Sequence, residues 1–101
     1  MELSTSYLGK QLINPFILAS APPTGNPGMI ARAFEAGWAG AVIKTLSSDP
    51  VRNVRNRFAS SRIAHHIYCF ENIELLSELA PEEWYRGIRL LKLGFPDRLV
   101  I

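Results

Sequence analysis

The chain has 101 residues, 48% apolar and 20% charged, with eleven Lys and Arg against nine Asp and Glu for a net charge of +2. This is the composition of one folded domain with a modest core, so it excludes intrinsic disorder and gives no reason to expect a polyanionic partner. The single cysteine, Cys69, excludes an intramolecular disulfide and a cysteine-only metal or iron–sulfur site. No apolar run reaches the roughly 20 residues of a membrane span. The expectation is a soluble protein of a reducing, cytoplasmic compartment, with no metal, no membrane partner and no nucleic-acid partner.

Glu2 to Tyr7 alternates, Gly9-Lys10 reads as a two-residue turn, and Gln11 to Ile13 returns, which predicts an N-terminal β-hairpin. Pro15 cannot donate to a ladder and marks the start of a new strand, Phe16-Ile17-Leu18-Ala19, whose unbroken apolar run suits a strand covered on both faces. Ser20 to Gly25 is a loop. Asn26-Pro27 then supplies a helix cap and a first helical proline, and Met29, Ile30, Ala33 and Phe34 share one helix face. Gly37 ends that helix, and Gly40-Ala41-Val42-Ile43 is a second buried strand running into Lys44-Thr45.

Leu46 to Phe70 shows no sustained period and reads as a long functional or mobile connection. Cys69, beside Phe70, reads as a small buried apolar residue. A second helix starts at Pro81, with Glu82 and Glu83 in its first turn and Trp84, Ile88 and Leu91 on one face; Gly87 weakens it and Gly94 stops it. Arg98 to Ile101 opens a third strand. The order hairpin, β, α, β, loop, α, β predicts an α/β fold with a parallel sheet and right-handed crossovers. A closed (β/α)8 TIM barrel needs about 250 residues. Residues 1–101 are therefore expected to be a single partial domain, an incomplete barrel preceded by a β-hairpin.

Ligands of such sheets bind beyond the carboxyl ends of the strands, which selects Ser20-Ala21 and Lys44-Thr45. A lysine closing a Val-Ile strand either snorkels to water or is a fixed cation aimed at an anionic or electron-accepting ligand. Asn72 offers a donor and an acceptor side by side, matching the lactam edge of a pyrimidine, or else bonds its own loop; Glu74 reads as a solvated or structural carboxylate. Arg52, Arg55, Arg57 and Arg62 form a basic stretch with no acid among them. Without aromatic interleaving, that stretch reads as a solvated loop or a subunit contact rather than a nucleic-acid site.

Taken in order, the stretch from Ile13 to Pro23 (INPFILASAPP), Ala33 to Gly40 (AFEAGWAG), Lys44-Thr45 and Asn72-Ile73-Glu74-Leu75 resemble the FMN-binding barrel of dihydropyrimidine dehydrogenases, which groups with the class 1 dihydroorotate dehydrogenases. The resemblance implies the N-terminal third of that barrel. Ala19 and Ser20 would approach the flavin or its ribityl chain, Lys44 and Thr45 would hydrogen-bond the polar part of the isoalloxazine, and Asn72, supported by Glu74, would hold the pyrimidine. It implies an FMN-dependent oxidoreductase reducing uracil or thymine at the 5,6 double bond with NAD(P)H. No catalytic residue is expected in this chain, because the family's cysteine acid and flavin-phosphate site would follow Ile101. The nicotinamide and iron–sulfur parts would likewise come from elsewhere, so the implied partners are the remainder of the barrel or an electron-transfer subunit. Cys69 and Asn56 depart from the family pattern, standing where glycine and proline are expected. The alternatives are a dihydroorotate dehydrogenase-type fragment and a non-catalytic assembly module docking through its open sheet edge.

Overall fold

Three short parallel strands, β3 (Ile17–Leu18), β4 (Gly40–Ala41) and β7 (Leu99–Val100), line up in the order β3-β4-β7, with β4 in the middle. The structure is a computed structural model that describes residues 2–55 and 57–101, so the family departure at Asn56 lies outside the described residues. The helices α1 (Pro27–Glu35) and α2 (Pro81–Gly94) are the two crossovers of this sheet. Ile30, Phe34, Ala41, Trp84 and Leu91 make the buried core, with Leu18, Ile43 and Val100 packed against it. One face of the sheet therefore carries the helices. The arrangement is a mixed α/β fold with a parallel sheet, like part of an unclosed barrel.

Local chemistry sets the helix ends. The Asn26 side chain accepts a hydrogen bond from the Met29 amide at 2.9 Å, and Pro27 occupies the first turn. At the other end Gly37 adopts φ 101°, its amide donates to Phe34 O and that of Trp38 donates to Ala33 O, so the last carbonyls of α1 are satisfied by a left-handed cap. The second helix begins with the Ala80 amide donating to the Glu83 side chain at 3.0 Å. Gly94 is its last helical residue rather than the stop expected from the sequence, and the Phe95 ring packs edge-on against Phe34. Gly87 proves to be a contact point and not merely a weak helix former, because α1 crosses α2 there with Pro27 against the bare glycine backbone.

The N-terminal hairpin pairs β1 (Thr5–Tyr7) with β2 (Lys10–Leu12). Its turn is Leu8-Gly9, both at positive φ, not Gly9-Lys10; two left-handed residues give the twist that a two-residue hairpin loop demands. The apolar run at Phe16 to Ala19 is half-buried to exposed rather than covered on both faces.

The largest departure lies in the long connection. Residues 58–72 form an antiparallel hairpin, β5 (Phe58–Ile63) and β6 (His66–Asn72), turned by Ala64-His65 with a register shift at Ser61/Arg62. Every residue of β5 is exposed, and Cys69 on β6 is a free, exposed thiol rather than a buried apolar side chain. The radius of gyration is 16.6 Å. A compact domain of this length has about 13 Å, so the chain is open in shape. Among the described residues, no helix is long and apolar enough to cross a membrane.

Candidate functional site

The ladder continues past β4, with the Val42 amide donating to Leu18 O at 2.8 Å and the Ile43 amide to Ile101 O at 2.7 Å. Ala19-Ser20 and Lys44-Thr45 thus leave the sheet at the same end, where parallel strands present their carboxyl termini. Lys44 is only 8% exposed and its Nζ lies 3.0 Å from Glu74 Oε1, so the snorkelling alternative does not hold. An ammonium taken this far from water needs an opposite charge, and Glu74 supplies it. The same carboxylate oxygen takes Arg57 Nη1 at 3.3 Å, and Arg57 Nη2 reaches toward Glu78 at 3.8 Å. Arg57 therefore turns inward and is not simply part of a solvated basic loop.

What holds Glu74 in place is a set of backbone ties. The Ser77 amide donates to Thr45 O at 2.9 Å and the Val51 amide to Ser77 O at 3.1 Å. The Ser77 hydroxyl accepts from the buried Trp84 indole at 2.7 Å, which anchors the segment to α2. Asn53, buried in a stretch that reads as polar loop, accepts from the Leu75 amide at 2.8 Å and donates to Leu76 O at 3.2 Å. This carboxamide ties together the two segments that flank the hairpin, so Arg57 and Glu74 are presented together. The sequence singled out Lys44 and Glu74, read Arg57 only as part of a basic stretch, and missed Asn53 and Ser77, whose partners are backbone groups or side chains brought near by the fold.

The Asn53 backbone amide also donates to Glu78 Oε1 at 3.0 Å. That bond, helped by the Asn53 side chain and the Arg57 charge, holds the Glu78 carboxyl below the usual carboxylate range. A lowered carboxyl pKa stabilises the fold above its unfolded value and loses that effect as the pH falls through the folded value. The Asn53 amide resonance is accordingly expected to titrate with a midpoint below that of an ordinary glutamate. Glu78→Gln should abolish this titration; an unchanged titration in that variant would show that the Asn53–Glu78 bond does not form.

Lys44, Glu74, Arg57, Asn53, Asn26 and Met29 line a cleft of about 220 Å³ at this rim. The other expected residues sit outside it. Ala19 and Ser20 are exposed just beyond β3, with Ala19 O accepting from the Thr24 hydroxyl at 3.3 Å. Thr45 is exposed, and neither its hydroxyl nor that of Ser20 has a hydrogen-bond partner among the described residues. Asn72 is exposed at the end of β6, directly opposite Phe58.

The parallel sheet with its crossover helices is consistent with part of an unclosed barrel, and the comparisons with known proteins point to one family. The chain is 34% identical over 108 residues to the chloroplastic dihydropyrimidine dehydrogenase (NADP(+)) of Arabidopsis thaliana. It is 33% identical over 101 residues to the PreA subunit of the NAD-dependent dihydropyrimidine dehydrogenase of Escherichia coli, in strains K12 and O157:H7 alike. Each alignment covers 99% of this chain and 25% of the relative, so the chain spans about a quarter of the length of the curated proteins it matches. No family model matches. The chain thus resembles dihydropyrimidine dehydrogenases, and through them oxidoreductases, at the family level.

Proposed function

We propose that this chain contributes one flank of the flavin and pyrimidine site of a dihydropyrimidine dehydrogenase-type oxidoreductase. The observation that carries the reading is the Lys44 ammonium, buried at the strand rim with Glu74 as its partner among the described residues. An ammonium has three donors, so two remain for a ligand. Together with the unbonded Ser20 and Thr45 hydroxyls on the same rim, this donor set fits the electron-rich polar edge of an isoalloxazine. Ligand sites of this kind enclose about 300–1,000 Å³, so the cleft here is a flank and not a whole pocket.

In this reading Lys44 and Thr45 donate to the flavin, Ala19 and Ser20 approach its ring or ribityl chain, and Asn72 takes the lactam edge of uracil or thymine. Glu74 holds the ammonium in place. FMN, when bound, would supply the redox chemistry between NAD(P)H and the 5,6 double bond. The remainder of a barrel or an electron-transfer subunit completes the enzyme. We place its docking surface on α2, where Tyr85, Ile88, Leu90 and Leu93 lie beside the charged Glu82, Arg86 and Arg89.

Titration of the chain into FMN, followed by quenching of flavin fluorescence, tests the reading. Lys44→Met removes a charge-assisted donor, a loss of about 1.5–3 kcal/mol, and should weaken binding at least tenfold. Lys10→Met, on the distant hairpin, should leave it unchanged. Equal affinity of the wild type and Lys44→Met would overturn the assignment.

A further inference from the structure

The β5–β6 hairpin carries a feature that folding does not explain. Phe58 and Phe70 stack with ring centroids 5.7 Å apart and planes at 21°, yet the residues remain 63% and 70% exposed. They belong to a hairpin in which every residue of β5 is exposed, so the pair is not part of a core. Aromatic rings left this open are expected to meet a partner.

The register says what lies beside them. Phe58 faces Asn72 directly across the ladder and Ser60 faces Phe70. Directly opposed residues, and residues two apart, share a face. Phe58, Phe70 and Asn72 therefore stand on one side of the hairpin, and two residues beyond Asn72 comes Glu74, in contact with Lys44. Aromatic faces and a paired donor and acceptor share one side of the hairpin, and the buried ion pair follows just past the end of β6. A flat ring with an amide edge would stack on the first and hydrogen-bond to the second.

We infer that Phe58 and Phe70 form a stacking platform for the planar pyrimidine-2,4-dione ring whose edge Asn72 holds, so that the hairpin supplies the ring-recognising wall of the substrate site. The inference rests on the proposed function and adds the aromatic pair to it. Stacking on an aromatic side chain is sensitive to loss of the ring but not to loss of an equal volume of aliphatic carbon elsewhere. Leucine at either position keeps the cross-strand apolar contact while removing the π-face, which separates ligand stacking from mere support of the hairpin.

The test is 19F NMR of 5-fluorouracil with the 101-residue chain in the presence of FMN. The wild type should broaden and shift the resonance saturably. Phe58→Leu and Phe70→Leu should each weaken binding about fivefold or more, Phe70→Tyr should retain it, and Ile63→Ser, at the far end of the hairpin, should leave it unchanged. Unaltered binding in both leucine variants overturns the platform, as does a wild type that leaves the fluorine signal sharp at millimolar ligand. Concentration-dependent self-association that vanishes in the leucine variants while ligand binding persists also overturns it, reassigning the pair to a protein contact. Flavin quenching measured on the same samples separates the two failures. If Lys44-dependent FMN binding survives, only the platform falls; if it is absent, the proposed function falls as well.

Discussion

Glu74→Gln is expected to lower the unfolding free energy by about 3 kcal/mol, at the lower end of what breaking a buried ion pair costs. The reason is that the substitution strands two cations, Lys44 at 3.0 Å and Arg57 at 3.3 Å, around an uncharged amide, with the Lys44 side chain 10% exposed. Lys44→Met should cost less, because Glu74 keeps Arg57. The double variant should recover much of the loss, since it removes the uncompensated charge together with its partner. Urea unfolding midpoints at constant m-value read all three. Against a total of roughly 5–15 kcal/mol for ordinary domains, a loss of this size is plainly visible. A Glu74→Gln variant as stable as the wild type would show that the carboxylate does not answer the lysine.

Gly87→Ala should destabilise by about 2 kcal/mol or more, although glycine to alanine inside an ordinary helix gains about 1 kcal/mol. The reversal comes from one contact. A Cβ on residue 87 would fall 2.1 Å from Pro27 Cγ and 2.7 Å from Pro27 Cβ. A proline ring has no rotamer by which to retreat, so α1 and α2 must part and loosen Ile30, Phe34 and Trp84 between them. Pro27→Gly, which removes both of these carbons, should relieve the clash, and a double-mutant cycle should show strong favourable coupling between the two positions. A stabilised Gly87→Ala would mean that the helices do not meet here.

The elements with a buried face were readable from sequence. Met29 to Phe34 and Trp84 to Leu91 announce their helices because burial imposes a 3.6-residue period, and Asn26, Pro27 and Gly37 mark ends by chemistry that acts locally. The β5–β6 hairpin was not readable for the converse reason. None of its side chains of described burial is buried, so no alternation shows there, and its turn is Ala64-His65, with Ala64 at φ 56° where Asn or Gly is the usual signal. The site divides the same way. Lys44 stands out because a charge at the end of an apolar strand is costly wherever it lies, whereas Arg57 looks like any other arginine of a basic stretch until Glu74, seventeen residues on, is brought against it. Asn53 is a further case, since a buried carboxamide bonded to backbone groups carries no mark in a sequence.

The strand order β3-β4-β7 has a consequence for handling the molecule. Both outer strands point the same way, so pairing one chain's β7 with the next chain's β3 would be head-to-tail, a contact that closes into a ring or grows as a filament according to the rotation between copies. Assembly by that route would be governed by mass action, so light scattering is expected to rise with concentration.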